Sequence, residues 1–193
     1  ETAGSTYRKA GAHLLIAADG SYSGLVSGGC LEGDALRKAL YVLTLGEPML
    51  VTYDTSDEDD AQLGARMGCN GIIQVLMEPV RCEAPLTPVH YIAEAIKTRE
   101  ASLLLTLFSL ENRRSAQQGT CLIWKKNGIA PEMNAPAMWA EEAQKVFREK
   151  RTVFKHYVSE NAGIHAFWEY IETPIALTVV GTGKDAIPLV EMA

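Results

Sequence analysis

"HLLIAADGSYSGLVSGGCLEG", His13 to Gly33, holds three structural signals in one short stretch. Two apolar runs flank Asp19-Gly20, a dipeptide that favours the tight turn of a β-hairpin. Gly28-Gly29 then turns the chain, and Cys30 stands where a helix is due to begin. Beyond it Leu31, Ala35, Leu36, Ala39, Leu40 and Leu43 recur at helical spacing until Gly46-Glu47-Pro48 ends the run. Hairpin, glycine corner and helix in succession predict an α+β or mixed α/β domain.

Working outward, "PMLVTYD" (48–54) reads as a strand. Ser56 ahead of Asp57, Glu58 and Asp59 reads as a helix cap with acids in the first turn. A calcium loop is excluded there, since its sixth position must be glycine. "GCNG" (68–71) is a second glycine corner, followed by the strand "IIQVLMEPV", which Pro79 closes. A helix over Pro88–Arg99, strands in "SLLLTLFSL" and "TCLIWKKNG", an amphipathic helix in "AMWAEEAQKVFREK", and strands in "TVFKHYV" and "HAFWEYI" complete the pattern. Upstream, "ETAGSTYRKAGAH" reads as a turn between two elements.

Pro174 starts something different. "IALTVVGTGKDAIPLVEMA" reads as a strand, a glycine turn and a helix start, with Gly181, Gly183 and Ala186 in G-x-G-x-x-A spacing. Such glycines let a phosphate approach backbone N–H groups at a helix N-terminus. The expected division is a mixed α+β, cysteine-containing unit over residues 1–173, its start truncated. Residues 174–193 would be the truncated start, first strand and helix, of a Rossmann-like unit.

The chain has 193 residues, 47% of them hydrophobic, which is ample for a core. Its formal net charge of −6 argues against a general nucleic-acid binder. No apolar run is long enough to span a bilayer. Cys30, Cys69, Cys82 and Cys121 form no CxxC pair and fit neither a zinc ribbon nor a dense disulfide scaffold, so reduced cytoplasmic thiols are expected. His13, His90, His156 and His165 are equally dispersed, with no HExxH pattern, so a sequence-encoded metal site is unsupported.

A thiol at a strand-to-helix corner lies near the positive end of the helix dipole, which favours thiolate. Glu32 and Asp34 oppose that effect. The bland reading of Cys30 is a small buried residue. Cys69, also between glycine corners, strengthens the functional one, whereas Cys82 and Cys121 read as structural. Arg8, on a loop beside hydroxyl groups, suits phosphate or carboxylate recognition, against the plainer reading of a solvent-facing arginine. No Ser-His-Asp or paired-carboxylate constellation can be assembled, so no catalytic residue is assigned.

"GSTYRKAGAHLLIAADGSYSGLVSGGCLEGD" (4–34), together with "YDTSDEDDAQLGARMGCNGIIQVLMEPV" (53–80), resembles the XdhC/CoxI family, the xanthine dehydrogenase accessory proteins that mature molybdenum hydroxylases. The matching positions are Gly4, Ser5, Arg8, Gly11, Ser27, Gly28, Gly29, Cys30, Glu32, Gly33, Gly68, Cys69 and Gly71. The resemblance implies a cytoplasmic chaperone more than an enzyme. Its cargo would be the molybdenum cofactor (molybdopterin), a pterin dithiolene with a phosphate, sheltered while a cysteine desulfurase replaces an oxo group by sulfur. The partners implied are that desulfurase, a target molybdenum hydroxylase and a second copy of the chain. Cofactor contacts would fall to Ser5, Arg8, Ser27, Gly28, Gly29, Cys30, Glu32, Gly68, Cys69 and Gly71. Cys30 and Cys69 would stand nearest molybdenum or sulfur, with Gly181 and Gly183 at a nucleotide.

Two departures stand out: "MGCNG" where many relatives carry Cys-Gly-Gly, and Lys184 where the nucleotide turn often contains histidine. Two other classes compete, an NAD(P)-dependent oxidoreductase with a truncated Rossmann domain and a thiol redox protein pairing Cys30 with Cys69.

Overall fold

The computed structural model describes residues 2–4, 10–54, 71–81, 87–112, 117–125, 128–129, 137–158, 163–181, 183–184 and 186–192. It is a mixed α+β fold. The hairpin expected around Asp19-Gly20 forms between β2 (Leu14–Ile16) and β3 (Tyr22–Gly24). Asp19 shapes its turn by accepting hydrogen bonds from the Ser21 N–H and hydroxyl.

The glycine corner then leads into α1 (Glu32–Leu45). Leu31, Ala35 and Val42 turn inward from this stretch onto Val51, Tyr53, Ile73 and Met77. Those partners belong to β4 (Met49–Asp54) and β5 (Gly71–Met77), which pair antiparallel. The helix stops where Gly46 adopts a left-handed φ of 78° and donates its N–H to the Val42 carbonyl. Thr2–Gly4, read from sequence as part of a turn, instead forms strand β1 along β5. The segment lacks a strand-like apolar alternation, and its pairing with β5 supplies the backbone hydrogen bonds that its side chains do not announce.

A second sheet has the order β8-β7-β6-β10-β9, antiparallel throughout. Its strands are β6 (Ser102–Phe108), β7 (Gly119–Lys125), β8 (Gly128–Ile129), β9 (Val153–Val158) and β10 (Gly163–Ile171). The central strand β6 is buried on both faces, which explains its unbroken apolar run. Leu103, Leu105 and Leu107 join Ala166 and the fully buried Trp168 under α3 (Ala137–Glu149), whose Ala143 and Val146 face them. Because side chains alternate across a strand, Leu104, Thr106 and Phe108 point to the opposite face. There they line a cavity shared with α1, β5 and α2 (Pro88–Thr98). Thr87 caps α2 by accepting the His90 N–H at 3.2 Å, and Pro88 opens the helix.

The two sheets are joined at Glu78, just after β5. Its carboxylate accepts the Thr120 N–H at 2.5 Å and the Thr120 hydroxyl at 2.9 Å. Gly119, at φ 74°, lies so close to this carboxylate that a Cβ there would collide with Glu78 Oε1.

The strand expected at the start of the Rossmann-like unit does not form among the described residues. Residues 175–180 belong to no strand and lie outside every described sheet, with Ile175 95% and Val180 93% exposed. A parallel strand exists only on a neighbour that completes its ladder, and none of the described strands runs beside it. The short helix α4 (Ala186–Met192) does form after the glycine turn, and it buries none of its residues.

Candidate functional site

The corner carrying Cys30 is built from beneath by two buried polar side chains. Ser27 and Glu32 are 4% and 6% exposed. Glu32 accepts the Ser27 N–H at 2.8 Å and the Ser27 hydroxyl at 2.5 Å. The same Ser27 oxygen accepts the N–H groups of Gly29 and Leu31, both at 3.1 Å. Burial pushes the Glu32 carboxyl up, but the Ser27 hydrogen bonds outweigh it and leave the group below its ordinary value. Glu32 is therefore an ionised internal anchor, and its carboxylate is committed to holding the loop.

Above this anchor the chain is open. Gly29 adopts φ 107°, a conformation that favours glycine, and a Cβ built on it or on Gly33 would meet nothing within 4 Å. Gly28 and Cys30 are exposed, and Cys30 is a free thiol. The first turn of α1 follows at once, its N-cap position held by Leu31, which has no capping side chain. The corner thus presents a soft sulfur beside an unobstructed glycine, which suits a bulky ligand with a soft metal centre.

Of the other sequence-assigned positions, Ser5, Arg8, Gly68 and Cys69 lie outside the described residues, as does Cys82. Gly71 is the first residue of β5 and is buried. Gly181 and Gly183 are exposed in the irregular segment before α4. The structure thus brings together Ser27, Gly28, Gly29, Cys30 and Glu32, with Glu32 turned inward. Cys121 occupies a β-bulge, skipped between the Leu105↔Leu122 and Thr106↔Thr120 pairs. Burial, with Glu78 nearby, pushes its thiol up to about 11.

The cavity below the corner measures about 560 Å³ and is lined mainly by apolar side chains. Gly11 and Val26 contribute to its wall. At its rim His13 Nε2 lies 2.7 Å from Glu169 Oε1, tying the hairpin's leading end to β10. Nothing in the sequence marks either residue for this role, and only their adjacency across the fold reveals it.

A family model described as "XdhC and CoxI family" matches residues 1–54, the part of the chain that holds the corner. Over those residues the chain is similar to the XdhC and CoxI family. The chain is 29% identical over 194 aligned residues to a probable xanthine dehydrogenase subunit of Bacillus subtilis (strain 168), covering 98% of the chain and 53% of that relative. It is 32% identical over 89 residues to the molybdenum cofactor insertion chaperone PaoD of Escherichia coli (strain K12), covering 46% of the chain and 27% of that protein. The crystal structure of a xanthine dehydrogenase from Bacillus halodurans superposes with a TM-score of 0.62 at 27% identity, covering 90% of this chain and 46% of that one. The chain therefore spans about half the length of the first relative and of the solved structure.

Proposed function

We propose that this chain is the cofactor-handling part of a molybdenum-hydroxylase maturation factor, a chaperone rather than a catalyst. It would hold the molybdenum cofactor during sulfuration and aid its insertion into a xanthine or carbon monoxide dehydrogenase-type enzyme. The observation that carries this reading is the free, exposed Cys30 on a glycine corner anchored by the buried Ser27–Glu32 pair. The match of residues 1–54 to the XdhC and CoxI family and the likeness to a molybdenum cofactor insertion chaperone support it.

When bound, the cofactor would supply a molybdenum centre able to exchange an oxo group for sulfur. The chain's own part is to bind and orient. Cys30 offers its sulfur, Gly28 and Gly29 admit the pterin, and Ser27 and Glu32 fix the loop from below. Ser5 and Arg8 would take the phosphate, and Gly68, Cys69 and Gly71 would supply the remaining cofactor contacts. The remaining proposals are a cytoplasmic homodimer that meets a cysteine desulfurase and then the target hydroxylase. Residues 174–193 would open a second unit after the one ending at 173, with Gly181 and Gly183 directed to a nucleotide.

The test is anaerobic mixing with molybdenum cofactor, desalting, and quantification of pterin and molybdenum. Near-equimolar retention by the wild type, lost in Cys30→Ala, supports the reading. No retention by the folded wild type sinks it and directs attention to nucleotide binding and hydride transfer.

A further inference from the structure

The histidines scattered in sequence are not all scattered in space. β9 and β10 pair so that His156 stands directly opposite His165. Both lie on the sheet face turned away from α3, and their rings stack at 4.3 Å between centroids, 11° from parallel. Glu111, in the turn after β6, meets them: its Oε1 is 3.6 Å from His156 Nε2 and its Oε2 3.8 Å from His165 Nδ1. One donor atom from each residue can be chosen so that all three lie within 4.8 Å of one another.

The surroundings are shaped to this cluster. A Cβ on Gly163 would stand 2.5 Å from His156 Nε2 and 3.0 Å from Glu111 Oε1, so glycine at that position keeps two of the three groups in place. The Glu111 turn is itself held. The Ser109 hydroxyl donates to Glu111 Oε2 at 3.2 Å and accepts the Asn112 N–H. Buried Gln117 accepts the Ser109 N–H and donates to the Asn112 carbonyl. A carboxylate oriented by a hydrogen-bonded support is the usual setting of a metal ligand.

We propose that Glu111, His156 and His165 form a binding site for a divalent transition-metal ion of zinc type. Two imidazoles and a carboxylate suit such an ion. Bonds of about 2.0–2.2 Å in a tetrahedron place donor atoms roughly 3.3–3.5 Å apart, within a few tenths of an ångström of the two Glu111 separations. Parallel rings cannot both hold one ion in their planes, so one imidazole rotates on binding, about a torsion whose well is broad. Buried His165 anchors the site, while Glu111 and His156, 55% and 43% exposed at their side chains, open it to solvent. Three protein ligands leave a fourth position for water or an incoming group. The ion would clip the turn after β6 to the edge strand β9, remote in sequence from the Cys30 corner.

The experiment is equilibrium dialysis of the protein against Zn²⁺ alone, after alkylation of accessible thiols, with Co²⁺ absorption as a second reading of the donor set. One equivalent bound, with a cobalt spectrum free of thiolate charge transfer, is expected. His156→Ala and Glu111→Gln, both at solvent-accessible positions, should each weaken binding at least about tenfold, as should Gly163→Ala, while His13→Gln, at a histidine outside the cluster, leaves it unchanged. No uptake by the folded wild type, uptake indifferent to His156→Ala and Glu111→Gln, or uptake abolished by His13→Gln would overturn the proposal.

Discussion

The carboxylate of Glu32 reaches back five residues and engages both hydrogens of Ser27, the backbone N–H at 2.8 Å and the hydroxyl at 2.5 Å. Glu32→Ala leaves those two buried donors unmet, and such groups cost about 1–3 kcal/mol. Urea unfolding should show that loss. Because the Glu32 carboxyl lies below its ordinary 4.5 in the fold, the clasp contributes fully above pH 4.5 and is lost as pH falls through the lowered value. Wild type should therefore lose stability on acidification more steeply than Glu32→Gln, in which the position no longer titrates.

Exposure separates the two described thiols. Cys30 is open to solvent, whereas Cys121 is partly covered at a bulge with its thiol raised to about 11. Iodoacetamide followed by peptide mass mapping should modify Cys30 in the native protein and leave Cys121 unlabelled until denaturant is added. Thiolate is the reacting form, so a raised thiol lags for chemical as well as steric reasons.

Gly119 is constrained twice, by its φ of 74° and by the Glu78 carboxylate that a Cβ would strike. Gly119→Ala should destabilise the fold by about 1–3 kcal/mol, the range for a residue held in a disfavoured backbone region. Part of that penalty comes from displacing Glu78. The double variant with Glu78→Ala should consequently cost less than the sum of the single changes in thermal unfolding.

His13 and Glu169 give the fold a mild dependence on neutral pH. The hydrogen bond to Glu169, against the opposing effect of burial, raises the imidazole above its ordinary 6.5. The pair thus stabilises fully below pH 6.5 and fades as pH climbs through the raised value. His13 is 61% exposed at its side chain, so solvent screening holds the effect to about 0.2–1 kcal/mol. Denaturant midpoints of wild type and His13→Gln should differ at mildly acidic pH and converge in alkali.

The regular elements were readable because each carries a local cause: Asp19-Gly20 for the hairpin, Gly46 for the end of α1, and Thr87-Pro88 for the start of α2. β1 was missed since three residues with no alternation acquire their structure from β5. The strand expected at 175–180 had the right composition but no adjacent strand to pair with. At the corner, the exposed thiol and the open glycines were foreseeable, while the inward turn of Glu32 was not. Spacing marks a residue as available and does not say which partner will claim it. The Glu111–His156–His165 cluster depends on cross-strand register, a property of pairing that a single sequence does not display.

The hairpin leading into the corner is short, and it is held to the fold through His13 and Leu14. Its strands are three residues each, none of them buried, and they pair only with one another among the described strands. A lone two-stranded ribbon is marginal in water. Its amides should exchange with deuterium well before those of α1, whose Leu31, Ala35 and Val42 side is locked in the core. Cys30 therefore stands between a helix locked into the core and a hairpin fastened mainly through His13 and Leu14, so local motion at the corner begins on the hairpin side.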